Sequence, residues 1–333
     1  MRISQTVAAC AALGLVGMFT AAPAGAATIC WAFQDLETEF WVAGHKAVIQ
    51  SLEEGGHTVI ERNANESANK QLEQIRDCIA QGVDGIIFIP QDGQSAVTIV
   101  KEAQASDVPV VVFNRPPTDT SRGVVVVADN EKIAEQAVAF MADEARERMA
   151  ATGKKAVPLI MVGDLGDPNA VGRKAGFYKV IEANPDLFET PIEVATKWDA
   201  ATALANLEAA ITANPDVDFL FTSSDFLFPT IRSVLEPRGM WVKAGDPKHV
   251  IMGGLDGDVT ACGLIKDGFV DATGVQDLFY EADASVNAIL KAIEDGDPTP
   301  NEVIEDPGFA LTSANLADRE MDMWGCALLA EKS

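Results

Sequence analysis

The segments Asp84–Pro90 (DGIIFIP) and Asp107–Phe113 (DVPVVVF) each hold an apolar run between turn residues, with no polar residue at alternate positions. A strand of that kind must be covered on both faces. A helix-length stretch, Asp92–Ser106, lies between them. Apolar strand, helix, apolar strand is the sequence form of a parallel sheet with right-handed crossovers. The same alternation precedes and follows this unit. Further strands are predicted over Thr28–Phe33, Thr58–Arg62 and Val124–Val127. Helices are predicted over Glu39–Glu54, stopped by Gly55-Gly56, and over Ser67–Gln81, stopped by Gly82.

The pattern then restarts. Helices are expected over Glu131–Thr152, Arg173–Asn184 and Ala200–Asn214, and another ending at Gly239. Strands are expected over Ala156–Gly163, Ile192–Thr196, Asp218–Ser223 and Val250–Leu255. Two successive units of one order imply an α/β protein of two similar Rossmann-like lobes, each a parallel sheet flanked by helices. The repeat is one of architecture, not of sequence identity, and no Gly/Ser linker separates the halves.

The first residues have a different character. Met1 and Arg2 give a short positive region, an apolar stretch runs to Phe19, and Ala21–Thr28 is rich in small residues. That order reads as a secretory signal over residues 1–26, cleaved after Ala26, with the mature chain in the periplasm. Its apolar core is too short for a membrane span. Val7–Cys10 faintly resembles a lipoprotein cleavage site, but Cys10 precedes the apolar core instead of following it. Beyond the signal, Cys30, Cys78, Cys262 and Cys326 remain. An even count in an exported chain points to two disulfides, for which three pairings exist. Cys30–Cys78 with Cys262–Cys326 is favoured, because a strand's start and a helix's end share one edge of an alternating sheet. The spacings match no zinc pattern, and neither a metal nor a cofactor is expected. With 25 basic against 50 acidic residues, the net charge of −25 repels nucleic acid.

Eight short segments stand in a familiar order: DGIIFIPQD at Asp84–Asp92, VPVVVFNRP at Val108–Pro116, ADN at Ala128–Asn130, PNAVGRKAGF at Pro168–Phe177, Trp198-Asp199, FTSSD at Phe221–Asp225, GGLDG at Gly253–Gly257 and ATGVQ at Ala272–Gln276. In these the chain resembles the type I periplasmic binding proteins of sugar importers, the ribose- and galactose-binding kind, from the first strand to about residue 305. The resemblance implies a three-segment hinge, with crossings near Asp129, Gln276 and Phe309. The N-terminal lobe is then 27–128 plus 277–308, and the C-terminal lobe 129–276 plus 309–333.

Ligands of open α/β sheets sit beyond the carboxyl ends of the strands. A neutral sugar there needs carboxylates, amides and guanidinium groups for its hydroxyls and flat rings for its C–H faces. By resemblance, Phe40 and Trp41 after the first strand and Trp198 are the aromatic platforms, with Thr38 and Glu39 at neighbouring polar positions. Asn114 and Arg115 at the end of the fourth strand would meet hydroxyls. So would Arg173, expected to open the helix after the sixth strand, with Asn169 and Asp167 before it. Asp256 and Gln276 complete the implied set. Ser224-Asp225 departs from the Asn-Asp of many relatives, so Ser224 points to an altered specificity. Asp92, just before a helix, reads as an N-cap. The calcium loop of the galactose-binding subgroup has no counterpart here. The tail Leu311–Ser333, with Trp324 and Cys326, reads as a staple on the second lobe.

Enzyme motifs fail. There is no G-x-S-x-G elbow, P-loop or G-x-G-x-x-G fingerprint. His45, His57 and His249 are scattered and read as surface residues. A repressor of this fold would begin with a basic helix-turn-helix, where this chain has its signal. The expected function is a monomeric receptor that takes a small neutral sugar or polyol to the permease of an ABC importer in the inner membrane. A receptor feeding a chemotaxis or kinase sensor, or one for a non-sugar molecule, are the alternatives.

Overall fold

The computed structural model describes residues 25–331, so the signal segment lies outside the described residues except for its last two positions. The first sheet takes β1 (Thr28–Phe33), β2 (Thr58–Asn63), β3 (Gly85–Phe88), β4 (Val110–Phe113) and β5 (Gly123–Ala128). Helices α1 (Glu39–Glu54), α2 (Ala68–Ala80) and α3 (Gly93–Ala105) connect its first four strands. The chain then enters α4 (Asn130–Thr152) and builds the second sheet from β6 (Pro158–Val162), β7 (Ile192–Ala195), β8 (Phe219–Thr222), β9 (Ile251–Asp256) and β10 (Ala272–Val275). Helices α5 (Pro168–Ala183), α6 (Ala200–Ala213), α7 (Phe228–Leu235) and α8 (Val259–Asp267) connect them. The long α9 (Leu278–Asp295) returns to pack on β3 and β4, and β11 (Asn301–Asp306) joins the edge of the first sheet beside β5. Two residues later β12 (Phe309–Thr312) joins the edge of the second sheet beside β10. The tail adds α10 (Leu316–Arg319) and α11 (Trp324–Glu331).

Each sheet has six strands, in the orders β11-β5-β4-β3-β1-β2 and β12-β10-β9-β8-β6-β7. All pairings are parallel except β10 with β12. The fold is the expected one of two Rossmann-like parallel sheets, each flanked by helices. The apolar runs explain it: β3, β4 and β8 are buried at every residue, and their side chains fill the layers on both faces. The helices start where side chains cap them. Thr38, Ser67, Asp92, Asp129, Asp167, Asp199, Asp258 and Asp277 each accept a hydrogen bond from a backbone N–H in the first turn. Disulfides join Cys30 to Cys78 and Cys262 to Cys326.

Two expectations are corrected. Arg173 does not open its helix: α5 starts at Pro168, with Asp167 accepting from the Asn169 N–H at 2.9 Å, so Arg173 stands in the second turn. Proline at the first helical position and aspartate before it are start signals in their own right. Two of the three histidines are not ordinary surface residues. His249 is 3% exposed, with Nε2 3.0 Å from Asp271 Oδ2, and His45 is half-buried, its Nδ1 accepting from Trp31 Nε1 at 2.9 Å. A polar partner makes such burial tolerable.

Candidate functional site

Strands of both sheets deliver the residues at and after their carboxyl ends into one cleft of about 650 Å³. Gln34 and Asp35 follow β1, Gln91 and Asp92 follow β3, and Asn114 and Arg115 follow β4. From the second sheet come Asp164 and Asp167 after β6, Lys197 and Trp198 after β7, Ser224 after β8 and Asp256 at the end of β9. The carboxyl ends of the strands thus line the site, as the topology of open α/β sheets requires.

Eleven of the residues singled out by sequence for the ligand line this cleft: Thr38, Phe40, Trp41, Asn114, Arg115, Asp167, Asn169, Arg173, Trp198, Ser224 and Asp256. Two do not. Glu39 is one position ahead of Phe40 on α1, and the turn of the helix carries it to a separate groove beside Val42 and Leu328. Gln276 is fully buried behind the lining: its amide donates to Asp256 Oδ1 at 3.1 Å and its carbonyl accepts from Asn114 Nδ2 at 3.1 Å. It lies between two lining residues and supports both. The motifs did not reveal Gln34, Asp35, Glu66, Asp164 or Lys197, which reach the cleft from irregular loops.

The floor is a hydrogen-bonded layer drawn from both sheets. Arg115 Nε lies 2.8 Å from Asp167 Oδ2, off the line of its N–H bond, so the contact is an ion pair without a formal hydrogen bond. The Arg115 Nη1 group donates to the carbonyls of Pro90 and Gln91 and to Gln34 Oε1. Arg173 Nη1 lies 2.9 Å from Asp256 Oδ1, and its Nε donates to Asn130 Oδ1 at 2.7 Å. The Ser224 hydroxyl donates to the other oxygen of Asp256. Asn169 Nδ2 donates to the carbonyl of Asn114 at 3.1 Å. Arg115–Asp167 and Asn114–Asn169 both cross from the first sheet's side to the second's, so the lobes are drawn together over the cleft. Gly93 and Pro168 also meet across it; a Cβ on Gly93 would lie 3.0 Å from the proline ring.

Two features concentrate chemistry here. Each guanidinium stacks on an aromatic ring, Arg115 Cζ at 5.6 Å from the Trp41 centroid and Arg173 Cζ at 5.6 Å from that of Trp198. The backbone is strained at the same places: Asn114 holds φ 60°, Trp198 φ 59° and Asp256 φ 140°, all unusual for residues other than glycine. The Trp198 indole is fixed by its N–H, which donates to Asp167 Oδ2 at 3.2 Å. Burial pushes the Asp256 carboxyl up from the ordinary aspartate value, while Arg173 and the Ser224 hydroxyl pull it back. At the mouth, Glu66 is also pushed up, by desolvation and by the charges of Asp35, Glu37 and Asp199.

The chain is similar to several known proteins. The ribose import binding protein RbsB of Bacillus subtilis (strain 168) is 27% identical over 253 residues, 75% of this chain and 76% of its own length. The D-xylose-binding periplasmic protein of Escherichia coli (strain K12) is 27% identical over 252 residues, 74% of this chain and 72% of its own. Among solved structures, an ABC transporter solute binding protein from Mycobacterium smegmatis with bound glycerol superposes with a TM-score of 0.76 at 21% identity, covering 88% of this chain and 96% of that one. The family described as the periplasmic binding protein domain matches residues 29–297. With most of its length inside that match and both sheets inside one shared fold, the chain belongs to the periplasmic binding protein family.

Proposed function

We propose that the protein is a periplasmic receptor that captures a monosaccharide or polyol between its two lobes and delivers it to the permease of an ABC importer, without chemistry of its own. One observation carries the reading: both cleft arginines are matched by buried carboxylates, Arg115 by Asp167 and Arg173 by Asp256. A floor whose charges cancel offers donors and acceptors in quantity, and the further cation of the lining, Lys197, stands among the acidic Asp35, Glu66 and Asp164. Such a floor suits a neutral polyhydroxy ligand. Trp41 and Trp198 offer aromatic surface for its C–H faces. The relatives named for ribose and for D-xylose support the same class of ligand. Contacts from both lobes would favour the closed arrangement when a ligand bridges them, and the permease would recognise that form. The residues assigned to the ligand are Phe40, Trp41, Asn114, Arg115, Asn169, Arg173, Trp198, Ser224 and Asp256, with Gln276 setting two of them. The protein acts as a monomer in this reading.

A thermal-shift screen over D-ribose, D-xylose, D-galactose, xylitol and myo-inositol tests the ligand class; a true ligand at 100 times its Kd adds about 2.7 kcal/mol of stability. Calorimetric titration of Asp256→Ala and Trp198→Ala with the best of these then tests the site. Each substitution is expected to weaken binding by roughly tenfold or more, the scale of a charged hydrogen bond or a lost aromatic contact. Wild-type affinity in both variants would sink the assignment.

A further inference from the structure

The tail beyond β12 takes no part in either sheet, yet one of its buried residues reaches the back of the binding cleft. Trp324, at the start of α11, is 2% exposed. Its indole N–H donates to the backbone carbonyl of Asp256 at 2.9 Å. Its ring meets Phe40 edge-on with centroids 5.9 Å apart. The next residue closes on the same turn: Gly325 N donates to the carbonyl of Gly257 at 3.1 Å, and a Cβ there would fall 2.3 Å from the carbonyl carbon of Asp258. Only glycine allows so close an approach. The helix that carries Trp324 packs on α8 and is tied to it by Cys262–Cys326.

The gripped turn, Asp256–Gly257–Asp258, is the one that aims the central carboxylate of the floor. Asp256 holds its φ of 140° without being glycine, and such a conformation persists only where the surroundings impose it. Trp324 holds the carbonyl of this same residue. On its other side it backs Phe40, which lines the cleft from α1, a helix of the first sheet's layer. One indole therefore stands behind a lining residue from each lobe.

We propose that the tail is a positioning element of the binding cleft: Trp324 fixes the Asp256 turn and the Phe40 ring from behind, and the Cys262–Cys326 disulfide holds Trp324 in place. A tail that only stapled the second lobe would add stability and leave the cleft's affinity alone. Because the Trp324–Phe40 contact joins the two lobes, it also adds to the closed arrangement. The affinity arm of the test rests on the sugar-receptor reading; the exchange arm does not.

Three variants separate the contributions: Trp324→Ala, Trp324→Phe, which keeps a ring against Phe40 and removes the indole N–H, and the pair Cys262→Ala with Cys326→Ala. Each is first checked by circular dichroism to be folded at the temperature used. Amide hydrogen exchange on the ligand-free proteins reads the turn directly. Exchange over 256–258 is expected to rise most in Trp324→Ala and less in Trp324→Phe, with β1 to β4 unchanged. Titration with whichever probe stabilises the wild type in the thermal-shift screen is expected to show affinity weakened about tenfold in Trp324→Ala, the scale of a buried hydrogen bond and its packing, and less in Trp324→Phe. The paired cysteine variant should fall between them. Unchanged exchange over 256–258 in Trp324→Ala would overturn the proposal, as would affinity within twofold of wild type in a variant whose melting temperature has dropped. If no probe binds the wild type, the receptor reading fails and the exchange result still decides the role of Trp324.

Discussion

Laid side by side, the two sheets match strand for strand, from β2 and β7 at one edge to β11 and β12 at the other. What they bury differs. Up to the end of β5, the first lobe buries Gln34, Gln71, Gln104, Asn114 and Arg115, and no carboxylate among its described residues. The second buries Asp167, Asp225, Asp256, Asp258 and Asp271. Up to that point the first lobe buries amides and one guanidinium around the fully buried Cys30–Cys78 disulfide, and only its returning segment adds the carboxyls Glu281 and Asp306; the second has a denser network of carboxylates answered by backbone amides, hydroxyls, Arg173 and His249. The same architecture can therefore be stabilised by two different means, and each has its own point of failure.

The largest effect should come from the first lobe's crosslink. Cys30→Ala with Cys78→Ala releases a loop spanning 48 residues, a change expected to cost about 4 kcal/mol in urea unfolding. Hydrogen exchange should show the first sheet losing protection before the second; the reverse order would break the comparison. Next is the second lobe's network. Asp225 accepts from Gly257 N at 2.8 Å and from the Thr273 hydroxyl at 2.7 Å, with a longer bond from Asp258 N at 3.4 Å. Asp225→Ala leaves these donors stranded and should cost about 3 kcal/mol, against about 2 for Gln71→Ala in the first lobe, whose amide joins Ile89 O and Gln91 N. Equal losses would show that burying a carboxylate adds nothing special.

A further effect is a pH dependence to which the second lobe contributes through three groups. Desolvation raises Asp258 to about 7, with the charges of Asp256 and Glu39 adding to it. Glu144 is also raised to about 7, by burial and then by Asp271, with His249 and Arg148 opposing. Burial draws the His249 imidazole down, but the Asp271 carboxylate more than compensates and leaves it raised. All three groups bind a proton more tightly folded than unfolded. The stabilisation from the two carboxyls is complete below pH 4 and disappears as pH climbs through about 7; that from His249 is complete below its ordinary 6.5 and goes as pH passes its folded value. Unfolding free energy should therefore fall by several kcal/mol from pH 5 to pH 8. Exchange over α8 and β9 should follow it. A flat profile would count against the carboxylate network.

The same asymmetry explains what could be read in advance. Apolar runs such as Gly85–Phe88 and Phe219–Thr222 announce buried parallel strands, because nothing else covers both faces. The residues just after them, Asn114, Arg115, Ser224 and Asp256, are then placed near the cleft by topology. Side-chain direction is not so readable. A helix turns each successive residue by about 100°, which separates Glu39 from Phe40 although they adjoin in sequence. Gln276 and His249 depend on partners far along the chain, Asn114 in one case and Asp271 in the other. The edge strand β11 (NEVIED) is largely exposed, with no apolar run to mark it. Asp35, Glu66 and Lys197 come from loops whose course no periodicity encodes.

The meeting of Gly93 and Pro168 bears on cargo. Gly93 N lies 3.4 Å from the carbonyl of Gly166, and the rigid Pro168 ring crowds the same glycine, so at this point the rim has little to yield. In the proposed receptor, a guest that extended past this lip would hold the two backbones apart and forfeit the contacts beneath, however well its first ring fitted. Such a lip would act as a caliper, measuring the length of the guest separately from its chemistry.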